Sequence, residues 1–280
     1  MRRTRYSALF AALLLVTLAA CGPAAPEPTA TAVAAPTPTA TPEPTPTPSP
    51  TPEPLVEPEL IFQSFSDTFT APDGTVVLTV SYTLPDFANQ ASSAVLTAIA
   101  DWYTAEGEAL LENASLRAQD AVSDYEVSQA AGYPFQATAE EITSELTYQS
   151  EGVLSFRREF YANAVGAAHP TVLRMGEQFD RTDGHKLTFS ECFTDGLAAA
   201  GAAYEALLQS EAVAGLVSSG AVTAAQVEAA FQPDHFYLTG DGFVFWFQPG
   251  ELAGVSNSPL EVTVPYSALE EYLLPWITTD

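Results

Sequence analysis

Cysteine is almost missing from this chain of 280 residues, which holds only Cys21 and Cys192. A cross-braced scaffold is excluded, and stability has to come from an ordinary apolar core. Basic residues are also scarce: nine Lys and Arg stand against 35 Asp and Glu, a formal net charge of −26. Such a surface repels nucleic acid and anionic lipid headgroups and draws in cationic partners, so no nucleic-acid role is expected. Three histidines occur, His169, His185 and His235, and their spacing fits no compact ligand pattern, so no metal is expected. There is no G-x-S-x-G, no glycine-rich phosphate loop, no H-E-x-x-H and no paired-cysteine site, and no cofactor is expected. Glu140 and Glu141 adjoin on a strand pattern, so they point to opposite faces and do not form a catalytic pair. Cys192 lies among apolar residues, where a buried and inert thiol is expected. No catalytic residue is assigned.

What is present begins with Arg2, Arg3 and Arg5, an apolar run from Leu9 to Leu18, and small residues before a cysteine. That order makes residues 1–20 a signal peptide, because the run is too short for a hydrocarbon core of about 30 Å. Leu18-Ala19-Ala20-Cys21 resembles the lipobox of bacterial lipoproteins. The resemblance implies cleavage before Cys21, lipidation of that residue (palmitate among the acyl chains), and an extracytoplasmic protein anchored to the cell membrane. Six basic residues would then face 35 acids, and Cys192 would be the one thiol left.

Residues 22–58 are almost entirely Pro, Thr, Ala, Glu and Ser without an aromatic ring. Such a segment cannot bury a core and is expected to be a disordered, semi-rigid tether with a reach on the order of 100 Å. Residues 59–280 are the folded part, with a first subregion over 59–124 and a second over 125–280.

The patterning of that part predicts an α+β domain: antiparallel sheets, a long helix in the N-terminal half and two or three helices in the C-terminal half. Leu60, Phe62 and Phe65 suggest a strand, and residues 75–84 alternate at period two after the Asp73-Gly74 turn signal. Pro85 and Asn89 introduce a helix with Val95, Ile99, Trp102 and Leu110 on one face and Asp101, Glu106, Glu108 and Glu112 as its solvated side. Strands follow at 125–127, 138–149, 153–161 and 171–179, with a short one at 186–189. Helices are expected over 190–209 and from the capping-box pattern at Thr223, then strands at 236–238, 243–247 and 260–264 and a closing helix over 266–273.

Three segments in order carry a resemblance. Tyr161-Ala162-Asn163-Ala164-Val165-Gly166-Ala167-Ala168-His169-Pro170 comes first, then Phe179-Asp180-Arg181-Thr182-Asp183-Gly184-His185-Lys186-Leu187-Thr188-Phe189 with Phe193. The third comprises Phe236-Tyr237-Leu238, Gly242 to Phe247, and Val262-Thr263-Val264-Pro265-Tyr266 with Leu269. Together they resemble the extracytoplasmic domain of the RsiV anti-sigma factor, also found outside the catalytic part of PdaC-type peptidoglycan deacetylases. Ala167 stands where that family has a second glycine, and Gly250 displaces the expected glutamate to Glu251.

The resemblance implies a non-enzymatic binding or sensing domain, since the RsiV domain contacts lysozyme, a typically basic protein. A cationic protein of that kind or a cell-wall component is the implied partner, with Gly166, His169, Pro170, Tyr161, Asp180 and Tyr266 as candidate ligand-binding residues. The alternative is a cell-envelope hydrolase, or an accessory module of a peptidoglycan-modifying enzyme.

Overall fold

Period-two patterning in the first third builds one side of a sheet, and a helix then closes its back. In the computed structural model, which describes residues 55–278 apart from 164–168 and 256, the strands β1 (Leu60–Thr70) and β2 (Val76–Phe87) form an antiparallel pair. The turn between them uses Gly74 at φ +90°, the left-handed region open to glycine, and Asp73 accepts the Thr75 N–H. β2 runs past Pro85 to Phe87, further than the expected end at Leu84. Proline is tolerated there because residue 85 faces Phe62 in a pair that exchanges no ladder hydrogen bonds.

Helix α1 (Ala94–Ala131) starts on Ser93, whose hydroxyl accepts the Leu96 N–H, and stops at Gly132, at φ +70°. The Gly132 and Tyr133 N–H groups close the last turn on the Gln129 and Ser128 carbonyls. Thirty-eight residues give a rod of roughly 57 Å. It buries Leu96, Ile99, Ala100, Tyr103, Ala114 and Ala118 against the sheet, and Gly107 leaves room for the Phe65 ring. The short strand expected over 125–127 does not exist: Tyr125 is a helix residue that donates to Asp73, because uninterrupted helix formers carry α1 past it.

β3 (Thr138–Gln149), β4 (Val153–Asn163) and β5 (Thr171–Asp180) complete a five-stranded sheet in the order β1-β2-β3-β4-β5. All neighbours are antiparallel except β2 and β3, which α1 joins as a parallel crossover. The α+β domain with antiparallel sheets expected from the patterning is present, with this one parallel seam added. The core under α1 is aromatic: Tyr103 meets Phe156 and Phe179 edge-on with centroids 5.6 Å apart, and Trp102 meets Phe179 at 5.4 Å.

The expected strand over 186–189 is a single bridge between Phe179 and Lys186, followed by a 3-10 turn, Phe189–Cys192. Three helices follow, α2 (Gly196–Gln209), α3 (Glu211–Ser218) and α4 (Ala224–Ala230), the last capped by the Thr223 and Gln226 box. A second sheet, β6 (Phe236–Thr239), β7 (Gly242–Phe247) and β8 (Leu260–Pro265), is antiparallel throughout. Every residue of β7 is buried, with Phe243, Phe245 and Phe247 packed among Ala199, Ala203 and Leu207. In place of the expected closing helix there is one 3-10 turn, Tyr266–Ala268, and a second at Pro275–Ile277. No helix among the described residues is long and apolar enough to cross a membrane.

Candidate functional site

The large sheet has two unlike faces, and α1 covers only one. The strand registers place Ser66, Ser81, Glu141, Tyr161 and Val172 in one transverse row on the opposite face, with Thr143, Glu159 and Arg174 beside them. Ser66, Ser81, Glu141, Thr143 and Tyr161 are all exposed, so the middle of a five-stranded sheet meets solvent. Glu140, one residue from Glu141, is turned under α1 and buried, as a period of two requires.

The second sheet walls one end of this open face. Ser155 Oγ accepts the Leu238 N–H at 2.8 Å, and Gln178 Nε2 donates to the Phe236 carbonyl at 2.8 Å. Gln248 grips the backbone of Arg174 from both sides, at 3.0 and 2.6 Å. A Cβ on Gly176 would lie 2.4 Å from the Phe236 carbonyl oxygen, so only glycine allows this approach. Along the wall, Arg174 pairs with Glu261 (2.7 Å) and Glu159 (3.0 Å), Arg157 pairs with Glu145, and the Arg157 guanidinium sits 5.9 Å above the Tyr237 ring.

Two shallow depressions lie on the face. One, of 150 Å³, is lined by Glu141, Thr143, Glu159 and Tyr161; the other, of 210 Å³, by Glu145, Arg157, Glu159 and their neighbours. Four carboxylates (Glu141, Glu145, Glu159 and Glu261) thus face two guanidiniums, and Glu141 has no ion-pair partner among the described residues.

The sequence candidates do not converge. Tyr161 lies on the open face, and His169, exposed, and Pro170, half-buried, belong to the connection leaving the same strand end. Gly166, like Cys21, lies outside the described residues. Asp180 is at the far end of β5, roughly 26 Å along the strand from Val172, and accepts the Thr182 N–H in a turn. Tyr266 is in the second module, where its hydroxyl donates to the Thr239 carbonyl and burial raises its pKa.

Asp180, Asp183 and His185 bring ligand-type atoms within 4.8 Å of one another, but the turn already uses them. Asp183 accepts from the His185 backbone and contacts its ring Nδ1 at 2.6 Å, which raises the imidazole pKa and lowers that of the carboxyl. The buried carboxylates are likewise occupied: Glu140 by Arg117 and Tyr82, Glu177 by Arg158. Glu106, placed on the solvated side of α1 by its spacing, turns in to the same Arg158 at 3.1 Å. Cys192 is wholly buried, and burial pushes its thiol up to about 12, so it is no nucleophile in the folded chain.

Comparison with known proteins bears on the second module. Residues 197–267 match the family described as protein of unknown function (DUF3298). They carry a DUF3298 domain. That stretch covers α2 to α4 and β6 to β8 and stops at the turn after Pro265, so the DUF3298 domain supplies the wall, while the open face belongs to the part before it.

Two crystal structures of DUF3298 family proteins resemble the whole arrangement. One, from Bacteroides fragilis NCTC 9343, is 15% identical and has a TM-score of 0.51, with 78% of this chain and 94% of that chain covered. The other, from Pseudomonas aeruginosa PAO1, is 16% identical with a TM-score of 0.53, covering 81% of this chain and 99% of that one. At such identities the likeness is one of fold. No curated protein matches the chain.

Glu141, Thr143, Glu145, Glu159, Arg157 and Arg174 were not candidates from sequence. The signal was there: along β3 an acid or hydroxyl recurs at every second position, Glu141, Thr143 and Glu145, opposite Glu140 and Ile142 turned inward.

Proposed function

We propose that this chain is a non-enzymatic binding protein that receives a cationic protein on the open face of its large sheet. One observation carries the reading: the row Ser66, Ser81, Glu141 and Tyr161 stays in water across the middle of a sheet whose other face packs its central strands under α1. A flat floor of carboxylates, hydroxyls and one tyrosine suits Lys and Arg side chains, and the chain's net charge of −26 would speed their approach. The resemblance to the lysozyme-contacting RsiV domain points to the same class of partner.

Three features weigh against a hydrolase. The buried carboxylates are held by arginines, the thiol is buried, and the depressions are shallow. On this reading Cys21 carries the lipid and the Pro/Thr-rich segment after it holds the domain off an extracytoplasmic membrane surface, although Val56 and Glu57, assigned to the tether by composition, dock on the domain: their carbonyls accept from Arg181 and Asn89. Cys21→Ala should therefore move the protein from the membrane fraction to the soluble one. Binding of lysozyme to the full chain should be measurable at low salt and fade as salt screens the contact. Absence of binding at low salt would sink the proposal.

A further inference from the structure

β1 is an edge strand, and its outer edge carries more information than its exposure. The Ala88 N–H donates to the Glu59 carbonyl at 2.9 Å, which fixes the phase of the β1–β2 ladder. In an antiparallel pair the bonded positions alternate, so the odd-numbered residues of β1 bond β2. Leu60, Phe62, Ser64, Ser66 and Thr68 turn their N–H and C=O groups outward. Thr68 agrees with this phase, since its N–H is taken by the adjacent Asp67 carboxylate at 2.7 Å. The outward groups of Leu60 to Ser66 meet no strand among the described residues.

Edge strands are commonly blunted by proline, by lysine or by shortness. β1 has none of these: it is eleven residues long, has neither Pro nor Lys, and leaves Ile61 and Phe62 43% and 45% exposed.

We propose that β1 is the seam of a homodimer, in which two copies of this chain pair their β1 strands antiparallel across a two-fold axis. The five-stranded sheets then join into one of ten strands. Charge selects the occupant. In a chain with 35 acids, the stretch Leu60–Thr70 has one charged side chain, Asp67, so this is where two acidic copies can meet without stacking carboxylates. An axis through Phe65 sets Ser64 opposite Ser66, Ile61 opposite Phe69, and Asp67 opposite Gln63, so no acid faces an acid. A cationic partner finds almost nothing ionic to hold on this edge and is directed to the open face instead.

The phase supplies the test. Ser64→Pro and Ser66→Pro delete outward donors and leave the β1–β2 ladder whole, whereas Gln63→Pro deletes a ladder donor. Sedimentation equilibrium of the full chain at rising concentration should give twice the monomer mass. Each serine-to-proline variant should weaken the dimer about tenfold or more, because the two-fold removes each donor twice. Both should keep the wild-type circular dichroism and Tm, while Gln63→Pro should lose Tm. Ser64→Lys, which keeps the backbone donor and sets a charge on the seam, should also favour the monomer if either proline variant misfolds. A wild-type chain that stays monomeric at every concentration overturns the proposal. A dimer of undiminished affinity in Ser64→Pro, Ser66→Pro or Ser64→Lys also overturns it.

Discussion

Replacing Arg158 with leucine should cost this domain more stability than any exposed charge change. The guanidinium lies under α1 with its side chain 4% exposed, and it donates to Glu177, itself 2% exposed, at 2.7 to 3.1 Å and to Glu106 at 3.1 Å. Removing the cation leaves the Glu177 carboxylate among aromatic rings with only the distant Tyr103 hydroxyl, 3.5 Å away. An orphaned buried charge of this kind costs about 3–5 kcal/mol. For a domain of this size that lowers Tm by roughly 6–20 °C.

Glu145→Gln is the comparison, because it breaks the Arg157–Glu145 pair, where the side chains are 34% and 59% exposed. Water and salt already screen that pair, and its loss should stay within about 1 kcal/mol. A third variant, Arg158→Met with Glu177→Leu, removes both buried charges and should recover most of the deficit. Urea unfolding followed by circular dichroism reads all three. An Arg158→Leu variant within about 1 kcal/mol of wild type would refute the reasoning, as would a double variant no better than the single.

Gly176→Ala places a Cβ against the Phe236 carbonyl and the Trp246 ring, so it should cost about 1–3 kcal/mol and loosen the wall, seen as faster amide exchange in β6. Cys192 should react with a thiol reagent only at the rate of unfolding, since it is wholly buried; rapid labelling in native buffer would contradict this. The His185 imidazole has its pKa raised above 6.5, first by the hydrogen bond to Asp183. The protonated form is thus favoured in the folded chain, and its stabilisation is complete below pH 6.5 and disappears as pH rises through the folded value. His185→Ala should remove that part of the pH dependence of the urea midpoint, and a variant with an unchanged profile would contradict the assignment.

Much of the fold was legible in the sequence because periodicity reports burial. The 2.0 period of 75–84 and the 3.6 period of 95–110 found β2 and α1. Failures came where local signals were silent about distance. Nothing near Tyr125 says that α1 continues for another turn and a half, and nothing in β2 or β3 alone says that they pair in parallel across a crossover built on a 38-residue helix. Glu106 was misplaced because spacing assigns a face but not the arginine waiting on another strand.

The candidate site was less legible. Tyr161 and the His169-Pro170 connection fell near the open face, while Asp180 and Tyr266 hold a turn and a packed module. A site made by registering five strands has no contiguous motif, and only the alternating acids and hydroxyls of β3 hinted at it.

The central claim is tested most directly by neutralising the open face and nothing else. Glu141→Gln, Glu145→Gln and Glu159→Gln together remove three charges from it, and Asp101→Asn, Glu108→Gln and Glu112→Gln remove three from the exposed side of α1. Calorimetric titration of each full-length variant with lysozyme at about 50 mM salt compares them at equal net charge. The account predicts that the face variant binds about tenfold or more weakly than wild type and that the α1 variant stays within about threefold. Equal weakening in the two, or none in the face variant, would contradict it.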